Sequence, residues 1–213
     1  MRYAETGWRL VVAGALAAGG TGCSSIATRP EPPSIAPAAA EAAPPVSPAA
    51  QQAFDDALRA LAAGQVAQAE SGFRALTQSD PGLGGPHADL GLIYRQAGKL
   101  PEAVAALEQA VRASPQQAVY LNQLGLAYRQ QGEFGKARDA YERALAIAPD
   151  YALATLNLGI LNDLYLGDPK RALELYERYL ELSPGGDATV RKWVVDLGNR
   201  KPQKLAATRK DQP

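Results

Sequence analysis

A period of 34 residues limits this chain more than any other feature. Gly91, Gly125 and Gly159 stand 34 apart at each step. A second glycine row runs Gly64, Gly98, Gly132, with Gly167 after 35. Pro81, Pro115, Pro149 and Pro184 keep the same 34, 34, 35 spacing, as do Ala69, Ala103, Ala137 and Ala172. A row of large residues, Phe73, Leu107, Tyr141 and Tyr176, follows it too. Leu90, Leu124 and Leu158 precede the first glycine row, and Tyr94 and Tyr128 follow it. Self-similarity at this period is the signature of stacked supersecondary units, none of which buries its apolar face alone.

Within a unit, two helical patterns are separated by "AG", "QG" or "LG" and closed by a proline that the following helix cannot contain. The stretch "LNQLGLAYRQQGEFGKARDAYERALAIAP" places Gly125 inside a helical pattern. There it costs about 1 kcal/mol relative to alanine. The cost is offset if Gly125, with small residues such as Ala137, lets neighbouring helices approach closely. Gly132 ends the first helix of the pair. These rows resemble the tetratricopeptide repeat over about residues 47–186. The resemblance implies an all-α, right-handed superhelical solenoid of four antiparallel helix pairs.

The ends depart from the pattern. The first repeat has Ala57 in the glycine row and Ala60 in the tyrosine row. Ser47 caps its entry, and Pro48 suits the first helical position. The fourth has Asn162 in the tyrosine row and one extra residue before Gly167, so an irregularity is expected near "LNDLYLGDP". Asp168 and Pro169 then open a new helix. Residues 187–200 read as a terminal capping helix. Asp187 caps it, and Val190, Trp193, Val194 and Leu197 form one apolar stripe while Arg191, Lys192 and Asp196 face away. Residues 201–213 read as a disordered tail. From residue 187 on there are seven basic and three acidic residues, against thirteen and eighteen in residues 23–186.

The first 46 residues read differently. Residues 10–18, "LVVAGALAA", form an apolar run too short to span a bilayer, which needs roughly 20 residues. Its length suits a secretory signal peptide. "GGTGCSS" follows, and it resembles the bacterial lipoprotein signal. The resemblance implies cleavage after residue 22 and lipidation at Cys23. Gly20 departs from it, since a leucine-like residue is usual there, and a cut after Ala27 that discards Cys23 is the other reading. Residues 23–46 are rich in proline and alanine and read as a disordered tether. At about 3.1 Å per residue, some 24 residues reach roughly 70 Å. Ser24 in place of an aspartate implies, by the same resemblance, the outer membrane facing the periplasm; a soluble periplasmic protein is the alternative.

Catalytic chemistry finds little support. One cysteine and one histidine, His87, exclude a Cys/His zinc cluster within one chain and a serine-histidine-acid set of ordinary type. The "GLGG" at residues 82–85 lacks the lysine of a phosphate loop. Asp55 and Asp56 point to different helix faces. Glu70, Glu102, Glu108, Glu142 and Glu177 read as solvated helix charges, and His87 as a surface residue. The 22 basic and 22 acidic residues cancel, which argues against nucleic acid as partner. No cofactor or metal is implied.

In the repeat family the first helices of successive pairs line a concave, peptide-binding surface. The resemblance therefore puts Leu58, Leu92, Leu126 and Ile160 on an apolar ribbon in the groove, with the core as their alternative place. Arg95 and Arg129 lie one turn on, and Asn122 and Asn157 about one turn before. The family's lysine-containing clamp for a C-terminal carboxylate does not carry over, because no lysine stands at those positions. An apolar segment with an acidic end is the better expected ligand. The whole resembles repeat lipoproteins that serve as pilotins or adaptors for envelope proteases and cell-wall enzymes. The expected function is a non-catalytic, membrane-anchored adaptor in assembly of an envelope complex. A partner of a TonB-type complex and a small envelope hydrolase are the alternatives.

If Cys23 carries the lipid, a fatty-acid probe labels the wild-type chain and not Cys23→Ala, which accumulates unprocessed or leaves the membrane fraction. An unlabelled wild-type chain rejects the anchor.

Overall fold

The computed structural model describes residues 46–185 and 187–199. The expected signal peptide, Cys23, the expected tether up to residue 45 and the expected tail lie outside the described residues. The described chain is helical throughout. Its elements are α1 (Pro48–Ala62), α2 (Val66–Ser79), α3 (Gly84–Gln96), α4 (Leu100–Ala113), α5 (Ala118–Gln131), α6 (Phe134–Ile147), α7 (Ala152–Leu161), a π-helical turn (Asn162–Leu166), α8 (Pro169–Leu182) and α9 (Ala188–Asn199). They pack as the pairs α1/α2, α3/α4, α5/α6 and α7/α8, with α9 laid on α8.

The first glycine row sets the packing within a pair. A Cβ added at Gly125 would lie 2.5 Å from Cε1 of Tyr141. At Gly91 it would meet Cγ of Leu107 at 2.5 Å, and at Gly159 the Tyr176 ring at 2.8 Å. No side chain fits at those distances, so each glycine is the slot that its partner's bulk fills. In the first pair the device is inverted. Ala57 stands in the glycine row, and the second helix answers with Gly72, whose added Cβ would meet that of Ala57 at 3.0 Å. Phe73 still fills the seam and stacks on Phe54 at 5.7 Å.

The second glycine row sets the turn. Gly64, Gly98, Gly132 and Gly167 have φ between 67° and 85°, a left-handed conformation costly for any residue with a Cβ. The chain then closes each first helix with a long backbone bond: Gln65 N–H to the Ala60 carbonyl, Lys99 to Tyr94, Glu133 to Tyr128. Each spans five residues. In the fourth pair the corresponding bond, Asp168 N–H to Asn162, spans six. The extra residue is absorbed by the π-helical turn, which is the irregularity expected there. Asn162 is buried, and its Nδ2 donates to the Leu158 carbonyl at 2.8 Å. The turn after it keeps its glycine, and Asp168 caps α8 by accepting from Arg171 N–H. Ser47 caps α1 likewise through Ala50 N–H.

Tyrosines knit one pair to the next. Tyr94 reaches back to α2, where its hydroxyl donates to Glu70 and accepts from Arg74 Nε. Tyr128 reaches back to α4 and donates to Glu108. Glu70 and Glu108 are therefore working partners of the stack and not the free helix charges expected. Burial first, and then the Glu108 contact, push the Tyr128 hydroxyl up to about 12. His87 also differs from expectation. It stands in the first turn of α3, and the ring is half-buried with Nε2 3.3 Å from the Pro81 carbonyl. Burial lowers its pKa.

At the far end Val190 and Leu197 are buried and Trp193 and Val194 pack beside them. The Trp193 ring lies 5.4 Å from that of Tyr176, so this tryptophan seals the last repeat. Asp187 accepts from Thr189 and Val190 N–H and fixes the start of α9.

The glycine slot makes a contrast. Gly125→Ala drives a methyl into a fully buried ring and should destabilise the array by about 1–3 kcal/mol. Gly135→Ala, on α6 with nothing within 4 Å of an added Cβ, should be neutral or stabilise by roughly 0.5 kcal/mol. Urea melts of the two variants check this; equal midpoints would mean that the Gly125 contact is not tight.

Candidate functional site

The inner surface of the array follows from which helices touch. The first helices contact one another directly, α3 with α5 and α5 with α7. Successive second helices make at most marginal contact among the described residues. Splayed second helices and touching first helices bend the stack so that α3, α5 and α7 line its inner side, with α1 the first helix of the pair before them.

Leu58, Leu92, Leu126 and Ile160 occupy equivalent points on those four helices. Leu58 is exposed and the other three are half-buried. Leu126 packs partly against the central core cluster, Ile160 against the last one. Leu126 and Ile160 thus roof the core on the first-helix side. Val119, which the sequence reading passed over, and Leu153, which it counted only among the clamp positions without a lysine, extend the ribbon. Val119 and Leu153 lie seven residues before Leu126 and Ile160, on the same helix face two turns away. They are 48% and 54% exposed. The i−7 spacing from the ribbon was the signal that could have found them.

Asn122 is not a groove contact of the kind expected. It is only 2% exposed. Its Oδ1 accepts from Asn157 Nδ2 at 2.9 Å, and its Nδ2 reaches the Tyr151 hydroxyl at 3.5 Å. The pair therefore ties α5 to α7 beneath the groove, with Asn157 half-buried beside it. Buried amides demand such partners.

Arg95 and Arg129 are half-buried on α3 and α5. Arg95 Nε and Arg129 Nη1 are buried with no hydrogen-bond partner, as are the Tyr141 hydroxyl and Gln123 Oε1. Asp163 stands third in the arginine row and accepts from the Tyr176 hydroxyl at 3.4 Å. Tyr141 is fully buried on α6. Burial pushes its hydroxyl up to about 12, against the pull of Arg129 and Arg95. Sequence reading took Tyr141 for bulk alone, since its row holds Phe73 and Leu107. Asp89, one helical turn and a half before Arg95, is half-buried, and burial pushes its carboxyl up to about 6.

Two sequence profiles described as tetratricopeptide repeat match the chain, one over residues 47–118 and the other over 87–150 and 116–184. The chain belongs to the tetratricopeptide repeat family. It is a solenoid of four such repeats with a terminal helix, a fold that serves protein–protein interaction. Among similar solved structures, MamA is 24% identical with a TM-score of 0.63, covering 70% of this chain and 80% of that one. The pilF protein of Pseudomonas aeruginosa is 23% identical with a TM-score of 0.63, covering 70% and 67%. The first repeat domain of Spaghetti (RPAP3), solved with the HSP90 peptide SRMEEVD, is 24% identical with a TM-score of 0.50, covering 53% and 87%. At these identities the likeness concerns the fold. No curated protein sequence matches the chain.

Asp89 gives a pH test of how closed the α3–α5 seam is. Its folded pKa of about 6 lies above the ordinary value of 3.8. The folded state holds the proton more tightly, so stability is lost as pH rises from 4 through 6. Asp89→Asn should therefore stabilise at pH 7 by roughly 1–2 kcal/mol, after allowing for screening by the water that still reaches the carboxyl. The gain should vanish below pH 4. A gain independent of pH would show that the carboxyl is not the cause.

Proposed function

We propose that this chain is a non-catalytic adaptor whose inner surface holds an apolar segment of a protein partner, extended or helical, with an acidic end. The observation that carries this is the ribbon of Leu58, Leu92, Leu126 and Ile160, widened by the exposed Val119 and Leu153 on one side of the array. Exposed apolar side chains in register along a concave face are a recognised docking surface. Arg95 and Arg129 give that surface its preference for an acidic end.

The leader supplies the setting. Lipidation at Cys23 would tether the repeats to the outer membrane on the periplasmic side, with the segment before Ser47 as spacer. The partner is then a component of an envelope complex, in pilus, secretion or cell-wall machinery, and the adaptor helps it to assemble. The non-catalytic reading rests on a sequence with a single cysteine and a single histidine.

Val119→Glu combined with Leu153→Glu tests the surface. Both side chains are exposed, so helicity by circular dichroism should persist. A photocrosslinker placed at Leu58 should capture one partner from envelope fractions, and the double variant should capture it about tenfold less, the size expected for burying charge in an apolar contact. Val195→Glu, on the exposed face of α9, should have no effect. Unchanged capture by the double variant moves the site off the groove.

A further inference from the structure

We infer that Arg95, Arg129 and the Tyr141 hydroxyl form a single site for one carboxylate of the protein ligand in the groove. The inference rests on the groove reading above and adds to it the group recognised and a third residue that recognises it.

Arg95 and Arg129 occupy equivalent points on two first helices that touch each other. Tyr141 comes from behind, on α6, with its ring laid across the Gly125 slot. A Cβ on Gly125 would stand 2.9 Å from Cζ of Tyr141, the carbon that bears the hydroxyl. The missing side chain thus lets that hydroxyl pass the α5 backbone. Both guanidinium groups act on it electrostatically, Arg129 more strongly than Arg95. Three donors from three helices, α3, α5 and α6, each have an atom that is buried and unpartnered: Arg95 Nε, Arg129 Nη1 and Tyr141 Oη. Folded proteins pair nearly all buried polar groups, and an orphan marks either a weak point or a place for a ligand.

The rest of the Tyr141 row decides between these. Phe73 and Leu107 fill the same slot without a hydroxyl and are fully buried. Tyr176 has one, and it donates to Asp163. Packing therefore needs the ring at this position but not the oxygen. The hydroxyl of Tyr141 weakens the free fold and faces two cations. A carboxylate answers all three donors, with two oxygens that accept several hydrogen bonds and match the guanidinium fork. A free C-terminus and an aspartate or glutamate side chain present this same group.

The test uses the full chain and three acetylated leucine–alanine peptides. One has a free C-terminal carboxylate, one is its C-terminal amide, and one is an amide with an internal glutamate. Affinity is read by calorimetry, and the arginine Nε–H resonances by NMR. At least one carboxylate peptide should bind about tenfold tighter than the neutral amide, and should shift the Nε–H signals of Arg95 and Arg129. Which of the two does so identifies the source of the carboxylate. Tyr141→Phe should lose about threefold of that preference, leave the neutral peptide unchanged, and raise the melting temperature by a few degrees. Arg95→Gln with Arg129→Gln should abolish the preference. Equal binding of charged and neutral peptides overturns the carboxylate site and leaves the groove standing. Failure of all three to bind overturns both. A melting temperature lowered by Tyr141→Phe would make the hydroxyl structural. Resonances that move with inorganic phosphate but with no peptide would also overturn the proposal.

Discussion

The structure depends on one contact, repeated: a glycine of a first helix against the bulk of a second. Where Gly91 meets Leu107, Gly125 meets Tyr141 and Gly159 meets Tyr176, the two backbones approach as closely as the intervening side chain allows. Helix propensity opposes glycine at these positions by about 1 kcal/mol each. The burial of a whole large side chain, about 1.5–3 kcal/mol, outweighs that. The contact also fixes the position of each pair, so that α3, α5 and α7 touch along one side while their partners splay. The inner surface is thus a consequence of the slot. A pair held further apart would leave no continuous inner surface on which residues 34 apart could act together.

The fourth repeat shows how a stack tolerates a change of period. One extra residue would rotate every following side chain by about 100°, the turn per residue of a helix with 3.6 residues per turn. The π-helical turn takes that rotation up within five residues, and Asn162 satisfies the loosened backbone through the Leu158 carbonyl. Such turns are expensive and collect at functional places. Here the turn also reshapes the end of the inner surface. Leu164 and Tyr165 are exposed, and the Tyr165 ring stacks on Phe134 of the preceding pair at 4.6 Å. The helix pair that contains it is closed by α9, so the array has a wet outer face where another repeat would otherwise dock.

Periodicity made the fold legible, because it reports backbone register and burial, and both repeat. The glycine slots, the left-handed turns, the caps at Ser47, Asp168 and Asp187 and the irregularity at residues 161–169 were all readable as rows or breaks in rows. The polar atoms were not. Whether Glu70 and Glu108 are solvated or held by Tyr94 and Tyr128 depends on an atom one repeat away, and no row records it. Asn122 was placed on the right helix, yet its amide turns to Asn157 and Tyr151 rather than to the groove. Tyr141 was hidden by its own row, where the shared property is bulk and the informative atom is the one that Phe73 and Leu107 lack.

The unpartnered atoms are not scattered. Arg95 Nε, Gln123 Oε1, Arg129 Nη1 and Tyr141 Oη all lie in the second and third repeats, and so does the raised carboxyl of Asp89. In a stack whose energy is a sum over units and their neighbouring interfaces, an interior repeat is held from both sides and an end repeat from one. The two middle repeats can therefore keep polar groups that weaken them and remain folded through their neighbours. The end repeats cannot: the first is closed by the Ala57–Gly72 and Phe54–Phe73 contacts, and the last is sealed by Trp193 on Tyr176. Buried polar groups without partners thus stand where the array can best hold them.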